Sequence, residues 1–487
     1  MTTWVDGPVI VGSGPTGVAV AAALIARGLT PVLLDGGLTA DRVARDRQDA
    51  LRHGADPSAV PAAHRADDPG RKTWFGSNFA LDPAEPSLLL RDPRVLAHES
   101  YAVGGLSRIW GGTFAFFSRI GRWDRAVRPE EPDLAAIRQL VPHARTSFGD
   151  GGLAGDAASA AAFERFRRSA GKAWSVTPST VAIDTESGSA QRCRFAGVCL
   201  DGCPHDSVWY AGDQVRRWAR SGRVRHLSGH VVTEIRESRD RVALLVRAGG
   251  RDSTIETGAA FVAAGSLATA GLLVRSGIRD RIAVRDTATA FAAAIQLRRT
   301  GVSARPAHGL SQWWATQADG GFAAQFYPPT AGNADRLVAR LPALARSGSL
   351  VDSLAARLHP VVAYLDPALS DPMLVVRRGS EVVISAERTR AARGAMRRRL
   401  SELARPLVRA GYLLPTLAAE ISPPGTGYHS GASMPHLRQT DPWGRPSGLR
   451  RVMLADASVL PELEVGSITP TAMANAHRIG RTWSQEA

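Results

Sequence analysis

Two sets of residues in this chain have the types and spacing that chemistry needs. The first is a glycine turn, Gly12-Ser-Gly14-Pro15-Thr16-Gly17, which follows the apolar run Val9-Ile-Val and leads into an alanine-rich stretch. In a strand–turn–helix the first glycine permits the tight turn, the second lets backbone approach a pyrophosphate, and the third lets helix pack on strand. The helix start then offers unpaired N–H groups and its positive dipole end to the phosphates. Thr30-Pro-Val-Leu-Leu-Asp35 reads as the next strand, and Asp35 stands at the usual spacing for an acid that binds the adenosine ribose. This unit fits FAD and NAD equally. The second set is the histidines, twelve in all, the side chains able to act as bases near neutral pH. His53, His64, His205, His308 and His359 lie in polar or Pro/Gly/Asp-rich surroundings and read as surface or loop residues. His429 stands apart, in a turn rich in glycine and serine.

Positioning these groups takes more than one unit. A chain of 487 residues, 44% hydrophobic, has material for two or three joined domains. No uninterrupted apolar run is long enough for a membrane helix, so no membrane span is expected. Met1 leads almost at once into a strand and glycine turn rather than a leader, and three cysteines cannot make a disulfide scaffold. The expected compartment is the cytoplasm. The net charge is +15, and only two of the 60 basic residues, Lys72 and Lys172, are lysines. The densest arginine run, Arg388 to Arg409, is interleaved with Ala, Leu and Met as on a surface helix, without the aromatics of a single-strand binder. No nucleic-acid partner is expected.

The chain returns to its nucleotide unit several times. Val224 to Ile235 and Val242 to Val246 alternate as a β-hairpin would, and Phe261-Val-Ala-Ala264-Gly265-Ser resembles the strand and turn that bring a flavoprotein back to FAD. Ala102-Val-Gly104-Gly105-Leu-Ser107-Arg-Ile109-Trp110-Gly111-Gly112 is similar to the second glycine-rich flavin loop of the glucose–methanol–choline (GMC) oxidoreductases, especially pyranose-oxidase-like members. Tyr428-His429-Ser-Gly431-Ala-Ser-Met434-Pro435 resembles that family's active-site histidine segment. Val452-Met-Leu-Ala-Asp456-Ala457-Ser458 and Ile468-Thr469-Pro470-Thr471 resemble its closing signature.

The resemblance implies an α/β protein: a Rossmann-like FAD-binding domain with a discontinuous substrate domain built on an antiparallel sheet. Residues 1–121, 192–279 and 423–487 would form the FAD domain, 122–191 an excursion toward the substrate domain, and 280–422 that domain itself. Gly12, Gly14, Pro15, Thr16, Gly17, Asp35, Gly104, Gly105, Ser107, Trp110, Gly111, Gly112, Val232, Ala264, Gly265, Asp456, Ala457, Thr469, Pro470 and Thr471 would bind the cofactor. His429 would accept an alcohol proton while hydride leaves the same carbon for flavin N5. The second catalytic position, usually His or Asn, is occupied by Thr469, which can hydrogen-bond a hydroxyl but is no base near neutral pH. That leaves His429 as sole base or passes the partner role to Asn475 or His477. Ile109 stands where some members carry the histidine that bonds flavin, so FAD should be non-covalent.

All three cysteines, Cys193, Cys199 and Cys203, fall in one eleven-residue stretch. Their C-x5-C-x3-C-P spacing resembles a ferredoxin-type run with Ala196 in place of one cysteine, and resembles the cysteine segment of GMC dehydrogenases that carry a three-iron, four-sulfide cluster. Zinc with His205 as fourth ligand, and three structural cysteines, are the alternatives. In the substrate region Phe291 to Arg298, Gly321 to Tyr327 and Met373 to Ile384 read as strands, and Val351–Leu358 and Ala391–Leu403 as helices. Gln312, Trp313, Trp314, Gln325, Phe326 and Tyr327 are candidates to line a pocket for a sugar-like alcohol. The electron acceptor, oxygen or another, stays open, as do an iron–sulfur dehydrogenase and a non-redox lyase or degenerate flavoprotein.

Overall fold

The computed structural model describes residues 2–56, 72–82, 89–148, 153, 155–297, 307–330, 333–340, 342–387 and 389–484. At its centre a parallel five-stranded sheet runs in the order Val452–Leu454, Ala260–Val262, Val9–Val11, Val32–Leu34, Arg225–Leu227. Ile10 lies between Phe261 and Leu33, and Phe261 is followed by Met453. The first four of these strands are wholly buried and apolar, as a sheet covered on both faces requires. Helices Pro15–Ala26 and Thr469–Thr482 pack together beside it. Their closeness depends on Gly480, where a Cβ would come within 3.0 Å of Ala23 and 3.2 Å of the Val20 carbonyl.

The expected hairpin from Val224 to Val246 is divided. Arg225–Leu227 joins the parallel sheet beside Val32–Leu34, and only Val231–Glu237 pairs with Val242–Ala248. The chain turns between these uses at Gly229, whose φ of +73° ends the first strand. The hairpin then continues into Arg251–Thr257 and Thr2–Trp4 as a second sheet.

A larger, antiparallel sheet runs in the order Tyr412–Leu413, Thr289–Gln296, Leu358–Leu365, Phe322–Phe326, Trp313–Gln317, Trp174–Pro178. Strand alternation divides its side chains cleanly. Ala290, Ala294, Trp313, Phe322, Phe326, Val361 and Ala363 pack under helices Ala157–Ser169 and Arg390–Arg409 through Phe163, Phe166, Met396, Leu400 and Leu403. The arginine-rich helix therefore buries its apolar stripe and leaves Arg393, Arg397, Arg398 and Arg405 exposed. On the other face, Phe291, Ala293, Ile295, Pro360, Val362 and Tyr364 look toward the parallel sheet across a cavity.

Met373 to Ile384 is not one strand but a hairpin, Met373–Arg378 with Glu381–Ala386, turning at Gly379 with φ +63°. The Val351–Leu358 helix is Gly348–Ala355, with Leu358 already in a strand, and the Ala391–Leu403 helix extends over Arg390–Arg409. Among the described residues no helix is long and apolar enough to cross a membrane.

A candidate active-site cavity

Between the two main sheets lies a cavity of about 880 Å³. Gly12, Gly14, Pro15, Thr16 and Asp35 line one end; Gly105, Ser107, Ile109, Trp110, Gly111, Val232, Ala264, Gly265, Asp456, Ala457, Thr469 and His429 also line it. Residues separated by most of the chain's length thus share one wall. Gly17, Gly104, Gly112, Pro470 and Thr471 do not line it, and the packing explains their residue types. A Cβ at Gly17 would fall 1.9 Å from the Gly12 carbonyl oxygen, and one at Gly104 would fall 2.4 Å from the Tyr210 ring. Thr471 Oγ1 accepts the Phe117 amide at 2.8 Å.

The end lined by Gly12–Thr16 has the shape an anion needs. Gly14 caps helix Pro15–Ala26 with no side-chain bond to the first turn, and a Cβ on Gly14 would meet nothing within 4 Å. The helix start is left open to the cavity, where its amides and dipole favour negative charge. Ser13 Oγ accepts the Gly104 amide at 2.8 Å and so fixes the second glycine loop against the first. Asp35 is held at the strand end by the Gly37 amide at 3.0 Å, Ser228 Oγ at 3.2 Å and His226 Nε2 at 2.8 Å. Asp456 accepts the Gly265 and Ser458 amides, each at 2.9 Å, and the Thr269 hydroxyl; burial pushes its carboxyl pKa upward. It locks the Gly265 turn, where φ is +90°.

His429 is set by a strained, tightly pinned turn. Tyr428, just before it, has φ +59°, a left-handed conformation that costs a non-glycine residue about 1–3 kcal/mol. Ser430–Gly431, just after it, pairs with Arg285–Asp286, and Asp286 accepts the Gly425 amide at 2.7 Å. A Cβ at Gly431 would sit 2.5 Å from the Ala457 carbonyl oxygen, so this turn and the closing segment touch. The imidazole stacks on Tyr364, ring centres 5.0 Å apart at 27°. Tyr364 in turn donates to Gln325 Oε1 at 3.0 Å, as Tyr327 does at 3.1 Å, while Gln325 Nε2 donates to Thr113 Oγ1 at 3.0 Å. His429 Nδ1 is buried and has no hydrogen-bond partner among the described residues. Burial, with the nearby Lys72 charge, pulls its pKa down to about 3, so the ring is neutral at physiological pH.

Thr469 begins helix Thr469–Thr482 and lines the cavity; Asn475 and His477 lie elsewhere. Asn475 bonds His436 at 3.2 Å and accepts from Arg478 at 2.9 Å, and His477 bonds Asp133 at 2.8 Å. Neither reaches the cavity. Of the six proposed pocket residues, Gln325 and Tyr327 line it. Trp313 and Phe326 stack at 3.7 Å on the helix side of the sheet, Gln312 is buried against His308, and Trp314 stacks behind Tyr364 at 5.9 Å.

His308 and His359, expected at the surface, are buried, with partners far away in sequence: Ser147 for His308, Ser159 and the Tyr412 ring for His359. His53 is exposed, His205 is partly exposed, and His64 lies outside the described residues. Each cysteine sulfur accepts a backbone amide: Cys193 from Phe195 at 3.4 Å, Cys199 from Gly309 at 3.3 Å, Cys203 from Ser207 at 3.1 Å. Burial pushes Cys193 up to about 11 and Cys199 higher still, so both are neutral thiols. Among the described residues no group of three or more His, Cys, Asp or Glu is placed to hold a metal. The iron–sulfur and zinc readings therefore lose their support. The loop instead supplies Leu200 and Asp201 to the cavity wall.

The cavity wall also carries groups that sequence reasoning had not placed there. Lys72 lines it, its ammonium 5.4 Å from the Tyr428 ring centre, and burial lowers its pKa to about 8. Glu99 lines it too, 3.4 Å from Arg91, and burial raises its pKa to about 7.

No protein-family model matches the chain, and no curated protein matches it. Among solved structures it is similar to the crystal structure of pyridoxine 4-oxidase from Mesorbium loti, with a TM-score of 0.57 and 15% identity over 98% of this chain and 99% of that one. At this identity the likeness shows the fold, an α/β architecture with a Rossmann-like unit shared from end to end.

Proposed function

We propose that this chain is a GMC-type flavoprotein that binds FAD non-covalently and oxidises a hydroxyl group of a small polar molecule to a carbonyl. The observation that carries the reading is one cavity shared by the Gly12–Thr16 turn, the Gly105–Gly111 loop, the Asp456–Ala457 turn, Thr469 and His429. The fold shared with pyridoxine 4-oxidase supports it.

The residues present fit FAD. The open helix start behind Gly14 suits the pyrophosphate, and Asp35 stands where it can meet the ribose. Gly105 and Gly111 leave room for a flat ring, and Ile109 cannot bond it covalently. When bound, FAD supplies the hydride acceptor. The chain's own part is to orient the alcohol and take its proton. His429, neutral and held flat by Tyr364, accepts the hydroxyl proton, and Thr469 offers a hydrogen bond to the same oxygen. Phe291, Ile295 and Val362 give the cavity an apolar wall.

The test is reconstitution with FAD, followed by anaerobic mixing with an alcohol panel that includes pyridoxine and monosaccharides. Flavin absorbance should appear and be bleached by one class of alcohol. Protein that takes up no FAD would refute the reading.

A further inference from the structure

We propose that Lys72, with the Thr73 hydroxyl beside it, forms a subsite for a carboxylate carried by the hydroxyl substrate. This rests on reading the cavity as an alcohol-oxidising site. The chain has 60 Lys and Arg residues and a net charge of +15. Yet among the described residues lining the cavity there is no arginine, and Lys72 is the one Lys or Arg present. Its ammonium faces the Tyr428 ring, and among the described residues no carboxylate pairs with it. The acids on the cavity wall are engaged elsewhere. Asp35 is held by His226, Ser228 and Gly37; Asp456 by Gly265, Ser458 and Thr269; Glu99 pairs with Arg91. Asp201 and Glu420 have partners of their own.

An unpaired ammonium on a mainly apolar cavity wall is costly unless a ligand brings the countercharge. Beside it, Thr73 is nine-tenths buried, lines the same cavity, and its Oγ1 has no hydrogen-bond partner among the described residues. One rotatable ammonium and one hydroxyl match the two oxygens of a carboxylate. The subsite lies beside the Tyr428–His429 turn. The Lys72 amide donates to the Tyr428 hydroxyl at 3.2 Å, and the Lys72 charge bears on His429. A carboxylate bound there would offset that charge and raise the proton affinity of His429 only when substrate is in place.

The test is calorimetric titration of the FAD-reconstituted protein with benzoate, benzamide and phenyl phosphate. Benzoate should bind at least ~10-fold tighter than benzamide. Lys72→Met should abolish that preference and leave benzamide unchanged, Lys72→Arg should keep part of it, and Thr73→Val should weaken benzoate alone. Equal binding of benzoate and benzamide, or a preference that survives Lys72→Met, overturns the proposal. Tighter binding of phenyl phosphate than benzoate overturns the assignment to a carboxylate. Loss of FAD in Lys72→Met with the benzoate preference intact assigns the lysine to the cofactor's phosphates instead. Calorimetry needs no turnover and no flavin signal, so protein that lacks flavin yet binds benzoate through Lys72 separates failure of the FAD reading from failure of this one.

Discussion

Three glycines of one turn should respond to alanine in opposite ways. At Gly14, φ is −68° and ψ −178°, extended backbone that any residue adopts, and an added Cβ meets nothing within 4 Å. Gly14→Ala should therefore leave the apoprotein intact, or stabilise it by about 0.4–1 kcal/mol through reduced freedom of the unfolded chain. At Gly17 the same methyl would lie 1.9 Å from the Gly12 carbonyl oxygen, and at Gly12, where φ is +110°, 2.3 Å from that of Ala263. Backbone must move in both, at a cost of about 1–3 kcal/mol or more. For FAD the order changes. On the proposed reading a phosphate sits in the empty space over Gly14, so the methyl should cost at least one charge-assisted hydrogen bond, about 1.5–3 kcal/mol. That is roughly 10–150-fold in Kd. Apoprotein prepared by acid treatment, melted thermally and then titrated with FAD by fluorescence quenching, reads both quantities. If Gly14→Ala binds FAD as tightly as the parent, the turn does not cradle the phosphates; if its apoprotein melts as low as Gly17→Ala, the steric argument fails.

Further outcomes concern the base, the buried histidines and the cysteines. His429→Asn should retain FAD but slow anaerobic flavin reduction by about 10²–10⁴-fold, measured by stopped flow; an unchanged rate would remove it as proton acceptor. His308 and His359 are pulled by burial from 6.5 to about 4, so below 6.5 the unfolded chain takes up protons that the folded one refuses. Stability attributable to them is present above pH 6.5 and lost as pH falls toward 4. Asp286, raised by burial to about 7, works in the opposite sense over that range. The clean comparison is thus the parent against His359→Gln: urea melts at pH 7 and pH 4.5 should show a smaller acid loss in the variant, and equal losses would contradict the burial argument. Cys199→Ser should keep its FAD, and neither it nor the parent should contain iron by metal analysis; about three irons per flavin in the parent would restore the cluster.

What was legible in the sequence was local. The Gly12–Gly17 turn declares itself because Gly17 answers to Gly12 five residues back and Gly12 to the end of the adjacent strand, while Gly14 faces open space; the His429 and Asp456 segments carry short patterns of their own. Lys72 was conspicuous as one of two lysines, yet nothing near it in sequence shows that Tyr428 and His429 will face it. The burial of His308 and His359 is likewise decided by Ser147, Ser159 and Tyr412, brought in from other elements. Trp313 and Trp314 show the limit most plainly. Adjacent and identical, they fall on opposite faces of one strand, and which face meets the cavity depends on register with Phe322–Phe326.

The order of strands in the parallel sheet bears on how the protein is made. Val9–Val11 and Val32–Leu34 leave the ribosome well before Arg225–Leu227 and Ala260–Val262, and Val452–Leu454 follows far later still. Until then the Ala260–Val262 edge, wholly apolar, has no neighbour on one side. Pairings so distant along the chain close slowly and leave sticky intermediates. The nascent protein must therefore wait, with an unfinished sheet, until Val452–Leu454 has been made, and chaperone supply should govern its yield in a cell-free translation.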